Sequence, residues 1–128
     1  MKYNFEKETS YTFDNAIDRI TEELKKVGFG ILARIDMHNT LKEKLNVEFR
    51  KYTILEACNP PFAYKSLQVE TNIGIMLPCN IVVQQISDNK TAVAVVNPVS
   101  AMQAVNNPDM DEIAKEIQVK LKSALNNV

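Results

Sequence analysis

Three glycines, two cysteines and one histidine are all that the 128 residues hold of the types on which many sites are built. Gly28, Gly30 and Gly74 are too few and too scattered for a G-x-G-x-x-G turn or a P-loop, so neither phosphate motif is present. No Cys-x-x-Cys occurs, which removes the zinc-knuckle and thioredoxin-type signatures. Two cysteines and His38 supply three ligands, one short of a closed zinc site, so no metal is expected. An excess of basic charge is also missing: 15 Lys and Arg face 16 Asp and Glu, a net charge of −1. Nucleic acid binding, which demands a basic face, is therefore not expected. The uncharged stretches 71–87 and 91–108 are broken by Pro78 and Pro98 and carry Asn and Gln, unlike a membrane span of about 20 apolar residues. The first eight residues contain no apolar signal-peptide core. A cytoplasmic location is the expectation, with reduced thiols and no structural disulfide.

What is present is ordinary globular material, 45% hydrophobic and 24% charged. A chain of this length buries roughly two-thirds of its unfolded surface and needs no staples. One domain over residues 1–128 is expected.

Periodicity supplies the elements. Residues 2–8 alternate weakly as a strand with Tyr3 and Phe5 on one face. Phe13, Ala16, Ile17, Ile20, Leu24 and Val27 form a helical stripe, capped by Thr12 or Ser10 and stopped by Gly28. Residues 29–37 read as a strand with Phe29, Ile31, Ala33 and Ile35 on one side. A short helix then opens at Thr40-Leu41-Lys42-Glu43, a relaxed capping box. Residues 51–58 form another strand, and Asn59-Pro60 opens a helix to about Glu70 with an Asn cap and Pro at its first position. Residues 80–87 and 91–97 are strands joined by the turn Asp88-Asn89-Lys90. A short helical turn (100–105) and a final helix after Asn107-Pro108 close the chain. The sum is an α+β fold: a mainly antiparallel sheet of about five strands with two long helices packed against it.

Between residues 71 and 108 there are two charges, Asp88 and Lys90, where the chain's own 24% would give about nine. A sheet covered on both faces explains part of this. The uncharged polar residues Gln84, Gln85, Asn97, Ser100 and Gln103 also suit a homodimer interface.

Two Cys-Asn dipeptides stand out for chemistry: Cys58-Asn59-Pro60 at the end of one strand and Pro78-Cys79-Asn80 at the start of another. Strand ends are where sites are commonly placed, and the two thiols share a pocket if the strands are neighbours. Two small buried cysteines are the plainer alternative. Cys58 precedes a helix start, which favours its thiolate, while Glu56 opposes it from the same strand face. Arg50, Lys51 and Lys65 flank the segment and could hold an anion or remain a solvated rim. His38 reads as a turn residue.

These segments resemble one family. Gly28-Phe29-Gly30-Ile31-Leu32, Arg50-Lys51-Tyr52-Thr53-Ile54-Leu55-Glu56-Ala57-Cys58-Asn59-Pro60 and Leu77-Pro78-Cys79-Asn80-Ile81-Val82-Val83 are similar to the domain of unknown function 302 family. The resemblance runs in order from about Phe13 to the last helix. It implies a compact α+β fold found as dimers, and it brings no established activity, substrate or cofactor. The family's characteristic segments fall on Arg50, Tyr52, Ala57, Cys58, Asn59, Pro60, Pro78, Cys79 and Asn80. Glu56 replaces a small residue and Tyr64 replaces a histidine found in many members, which weakens an enzymatic reading.

The expected function is thus a homodimeric small-ligand or anion-binding module, with Arg50, Tyr52, Cys58, Asn59, Pro60, Cys79 and Asn80 as candidate site residues. A structural or interaction protein without a ligand, and a thiol enzyme or redox sensor using Cys58, stand as the alternatives.

Overall fold

The computed structural model describes residues 1–128. Five strands, β1 (Asn4–Thr9), β2 (Gly30–Asp36), β3 (Tyr52–Cys58), β4 (Cys79–Ser87) and β5 (Lys90–Val96), form one antiparallel sheet. Their spatial order is β1-β5-β4-β3-β2. Five helices accompany it: α1 (Phe13–Lys26), α2 (Met37–Leu45), α3 (Pro60–Val69), α4 (Pro98–Met102) and α5 (Pro108–Asn126). The fold is α+β, as the periodicity implies, and the shorter helices expected after residues 40, 59 and 100 are present as α2, α3 and α4 beside α1 and α5.

The stripe on α1 and the stripe Ile117, Leu121, Ala124 and Leu125 on α5 are buried against one sheet face. That face presents Leu55, Ala57, Ile81, Val83, Val93 and Val95, all nearly inaccessible. Alternation along the strands sends Ile54, Val82, Ala94 and Val96 to the opposite face, where they are half-buried. No helix layer covers their centre.

Caps place the helices. The Asn15 amide donates to Thr12 Oγ1 (3.2 Å), so Thr12 and not Ser10 starts α1. Asn97 Oδ1 accepts from the amides of Val99 and Ser100, and α4 begins at Pro98 rather than at residue 100. Asn107 Oδ1 accepts from the Asp109 amide at the head of α5. Gly28 has φ +91°, the left-handed geometry that ends α1.

Three local expectations are corrected. First, α2 begins at Met37, directly off β2. The Thr40 hydroxyl does not cap. It donates to the Asp36 carbonyl four residues back (3.4 Å), while the Asp36 carboxylate accepts from Thr53 Oγ1 (2.7 Å) and Arg34 Nε (2.9 Å). The Thr53 hydroxyl first, and Arg34 after it, hold the Asp36 pKa below its ordinary value. Second, the register shifts between Ile31 and Ala33, a bulge at Leu32. Ile31 pairs with Ala57 on the helix side but Ile35 pairs with Ile54 on the open side, so β2 has no continuous apolar face. Third, Asn59 gives α3 no side-chain cap, because its amide is turned toward α1.

Candidate functional site

Strands β3 and β4 are hydrogen-bonded neighbours, with Ala57 opposite Cys79. The end of one strand thus lies beside the start of the other, and both cysteines reach one cavity of about 190 Å³. Its floor is Phe29, Ala57 and Ile117; its sides are Phe62 and Ala63 from α3 and Leu77-Pro78 from the approach to β4. Nine of the twelve lining residues are hydrophobic, which marks a site for apolar groups.

The polar residues in its wall are already engaged. Asn59 is buried, and its Nδ2 donates to the Val27 carbonyl at 3.3 Å, tying the end of α1 to the start of α3. A Cβ on Gly28 would lie 2.9 Å from that Nδ2, so the glycine is also what lets Asn59 sit there. The Ser66 hydroxyl donates to the Phe62 carbonyl at 2.8 Å. Pro60 and Pro61 carry no N–H, so two of the donors that a helix start normally offers are missing from α3.

The two thiols differ. Cys58 is half-buried and Cys79 buried. Desolvation, with the neighbouring Cys58 adding to it, pushes the Cys79 thiol from 9.0 up to about 11. A raised acid pKa means that Cys79 contributes stability that is fully present below about pH 9 and lost as pH rises through about 11. Native protein at pH 8 treated with iodoacetamide is expected to carry label on Cys58 at least about tenfold faster than on Cys79, since only the thiolate reacts. Both should label alike in denaturant. Equal native rates would contradict the buried position of Cys79.

The remaining expected residues do not gather here. Tyr52 stands at the far end of β3, about 20 Å from Cys58 at about 3.3 Å per residue, and Arg50 lies just before the strand. There Arg50 Nε donates to Gln84 Oε1 (2.9 Å), and its guanidinium lies 4.4 Å from the Phe49 ring centroid. Asn80 is exposed and pairs with Glu56 across the strands. Those two line a separate depression with Pro98 and Met102, on the far side of Pro78 and Cys79. Glu56 does not line the Cys58 cavity, although the strand's alternation keeps the two on one face of β3. Pro60 is exposed at the head of α3. His38 Nδ1 accepts from the Tyr52 amide (3.0 Å), and its ring meets Phe13 edge-on, a packing role.

Sequence reading passed over Ala63, Leu77 and Ile117 as site residues. Only Ile117 had a signal, its helical spacing from Leu121, and nothing local shows that α3 and α5 converge on Cys58.

No helix is long and apolar enough to cross a membrane. Among curated proteins there is no significant match. Among solved structures, an uncharacterized conserved DUF302 protein from Bacillus stearothermophilus is similar, with a TM-score of 0.91 and 30% identity, covering 99% of this chain and 98% of that one. The domain of unknown function DUF302 matches residues 5–128. With the sequence matched over nearly its whole length and the fold shared, this chain belongs to the DUF302 family.

Proposed function

We propose that the chain is a homodimeric small-ligand-binding module whose ligand enters the cavity between the two Cys-Asn segments. The observation that carries this reading is the cavity itself: about 190 Å³, apolar, and bounded by polar groups that bond elsewhere in the chain. An apolar cavity of about 150 Å³ is large enough for benzene. The ligand's buried part is accordingly a small aromatic or branched aliphatic group. Cys58, Asn59 and Cys79 belong to the site; Arg50, Tyr52 and Asn80 lie outside it, and an anion held by Arg50 is not part of this reading.

Toluene tests the cavity. At ten times its dissociation constant it is expected to stabilise the fold by about 1.4 kcal/mol, or about 5 °C in Tm. Ala63→Leu and Ala63→Phe put carbon into the same space and should abolish that shift while leaving the circular dichroism spectrum unchanged. A toluene shift that survives both substitutions would place the binding elsewhere.

The dimer part rests on the open sheet face, where Ile54, Val82, Ala94 and Val96 are half-buried and β4 and β5 carry no charge except Lys90 beside their turn. A second copy related by a two-fold axis covers such a face with its own.

One observation favours a thiol role as a second reading. Both cysteines line the same cavity, so a ligand bound there would lie against Cys58. The two prolines at the head of α3 and the distance of Arg50 count against an activated thiolate.

A further inference from the structure

Two cations with no counterpart stand at Phe62, a residue of the cavity wall. Phe62, which forms one wall, has Lys65 Nζ 5.3 Å and Lys120 Nζ 5.9 Å from its ring centroid. The lysines come from different helices, α3 and α5, yet converge on one ring. Each stands three residues beyond a lining residue on its own helix, Lys65 after Phe62 and Lys120 after Ile117. Positions i and i+3 share a helix face, so each ammonium continues the cavity wall outward by about one turn, about 5 Å. Neither lysine forms an ion pair with a carboxylate of the chain; the six ion pairs present lie elsewhere. Two like charges near one aromatic ring repel each other, and an anion between them relieves this. The ring itself attracts cations only modestly at a half-exposed site.

Resting on the cavity reading above, we infer that the ligand is a small amphipathic carboxylate. Its aromatic or branched body fills the space beside Cys58 and Cys79, and its carboxylate sits outside, between Lys65 and Lys120. The polarity is dictated by layout. The lining includes no cationic side chain to pair with a carboxylate, so the charge must remain outside. Both charged groups seen at Phe62 are cationic, so an amine of the same shape is rejected while the acid is accepted. One helical turn between lining residues and ammoniums sets the length, a one- or two-carbon arm between body and head.

Three probes of equal body separate the pieces: toluene, phenylacetate and phenethylamine, each titrated into the full chain by calorimetry and by amide-resolved NMR. Phenylacetate is expected to bind at least about tenfold more tightly than phenethylamine, with shifts at Ala63, Cys58 and Lys120. The double variant Lys65→Gln, Lys120→Gln should remove that preference and leave toluene affinity within about twofold. Raising salt from about 20 to 500 mM should weaken phenylacetate and not toluene, as screening requires. Toluene binding without any preference for the acid over the amine would overturn the inference and leave the cavity reading standing. A preference that survives in the double variant would overturn it as well. Failure of all three probes to bind would overturn both.

Discussion

Gly28→Ala is expected to lower folding stability by about 2–3 kcal/mol and Tm by about 10 °C. Two separate effects combine at this residue. Its φ of +91° lies where an L-residue is strained, at about 1–2 kcal/mol. The added methyl would also stand 2.9 Å from Asn59 Nδ2, closer than such contacts tolerate. Asn59 cannot swing away freely, since the same amide donates to the Val27 carbonyl and the residue is buried. The second effect is separable by a double-mutant cycle. In an Asn59→Ala background the same glycine substitution should cost about 1 kcal/mol less, because the group that it strikes is gone. Chemical denaturation of the four proteins reads both terms. A coupling of zero would show that the close approach contributes nothing. The cycle also bears on ligand binding, because Asn59 forms part of the cavity wall.

Val82→Glu is expected to convert the proposed dimer into a monomer. Val82 sits on β4 at the middle of the open face, opposite Ile54 on one side and Ala94 on the other. Across a two-fold axis one substitution enters the interface twice, so two carboxylates lose water together and repel. The dissociation constant should rise at least about a hundredfold, about 2.7 kcal/mol. Sedimentation equilibrium at micromolar concentration should show wild type at twice the chain mass of 14.5 kDa and the variant at 14.5 kDa. A wild type already at 14.5 kDa would end the dimer proposal. A variant that stays dimeric would move the interface off this face.

The physics of each element explains what could be read in advance. The α1 stripe, the Thr12 cap and the Gly28 stop are local signals, and all three appear where the spacing puts them. The β4–β5 hairpin is likewise local, since its turn residues and apolar runs adjoin. What stayed hidden is non-local. Nothing near residues 4–9 announces that they pair with residues 91–96, closing the edge of the sheet beyond β5. The Leu32 bulge could not be read from alternation, which continues through 29–35 as if the strand were regular.

The candidate site divides the same way. Two Cys-Asn pairs could be seen as a unit, and the antiparallel register of β3 and β4 brings the cysteines to one cavity. Arg50 and Tyr52 belong to the same continuous segment as Cys58, and that proximity in sequence misled. An extended strand carries its two ends apart, so seven consecutive residues serve two different places. Lys120 has no local signal of its place: α5 runs on to Asn126, and the Lys120 ammonium lies 5.9 Å from the Phe62 ring centroid, on another helix.

The bulge in β2 has a further effect, on how copies of this chain can meet. A sheet with free edges can recruit another copy strand by strand, and then another, without limit. On β2 the ladder-forming groups fall into two short pieces on either side of Leu32, and the strand passes straight into α2. A neighbour would find no uninterrupted row of donors and acceptors to continue. The other edge, β1, presents Glu6, Lys7 and Glu8 in succession, so an identical strand docking in register would set like charges together. Growth along the sheet is blocked at both ends. The proposed dimer uses the open face instead, which would close after two copies, so crowding the protein should fill that one arrangement and not seed fibres.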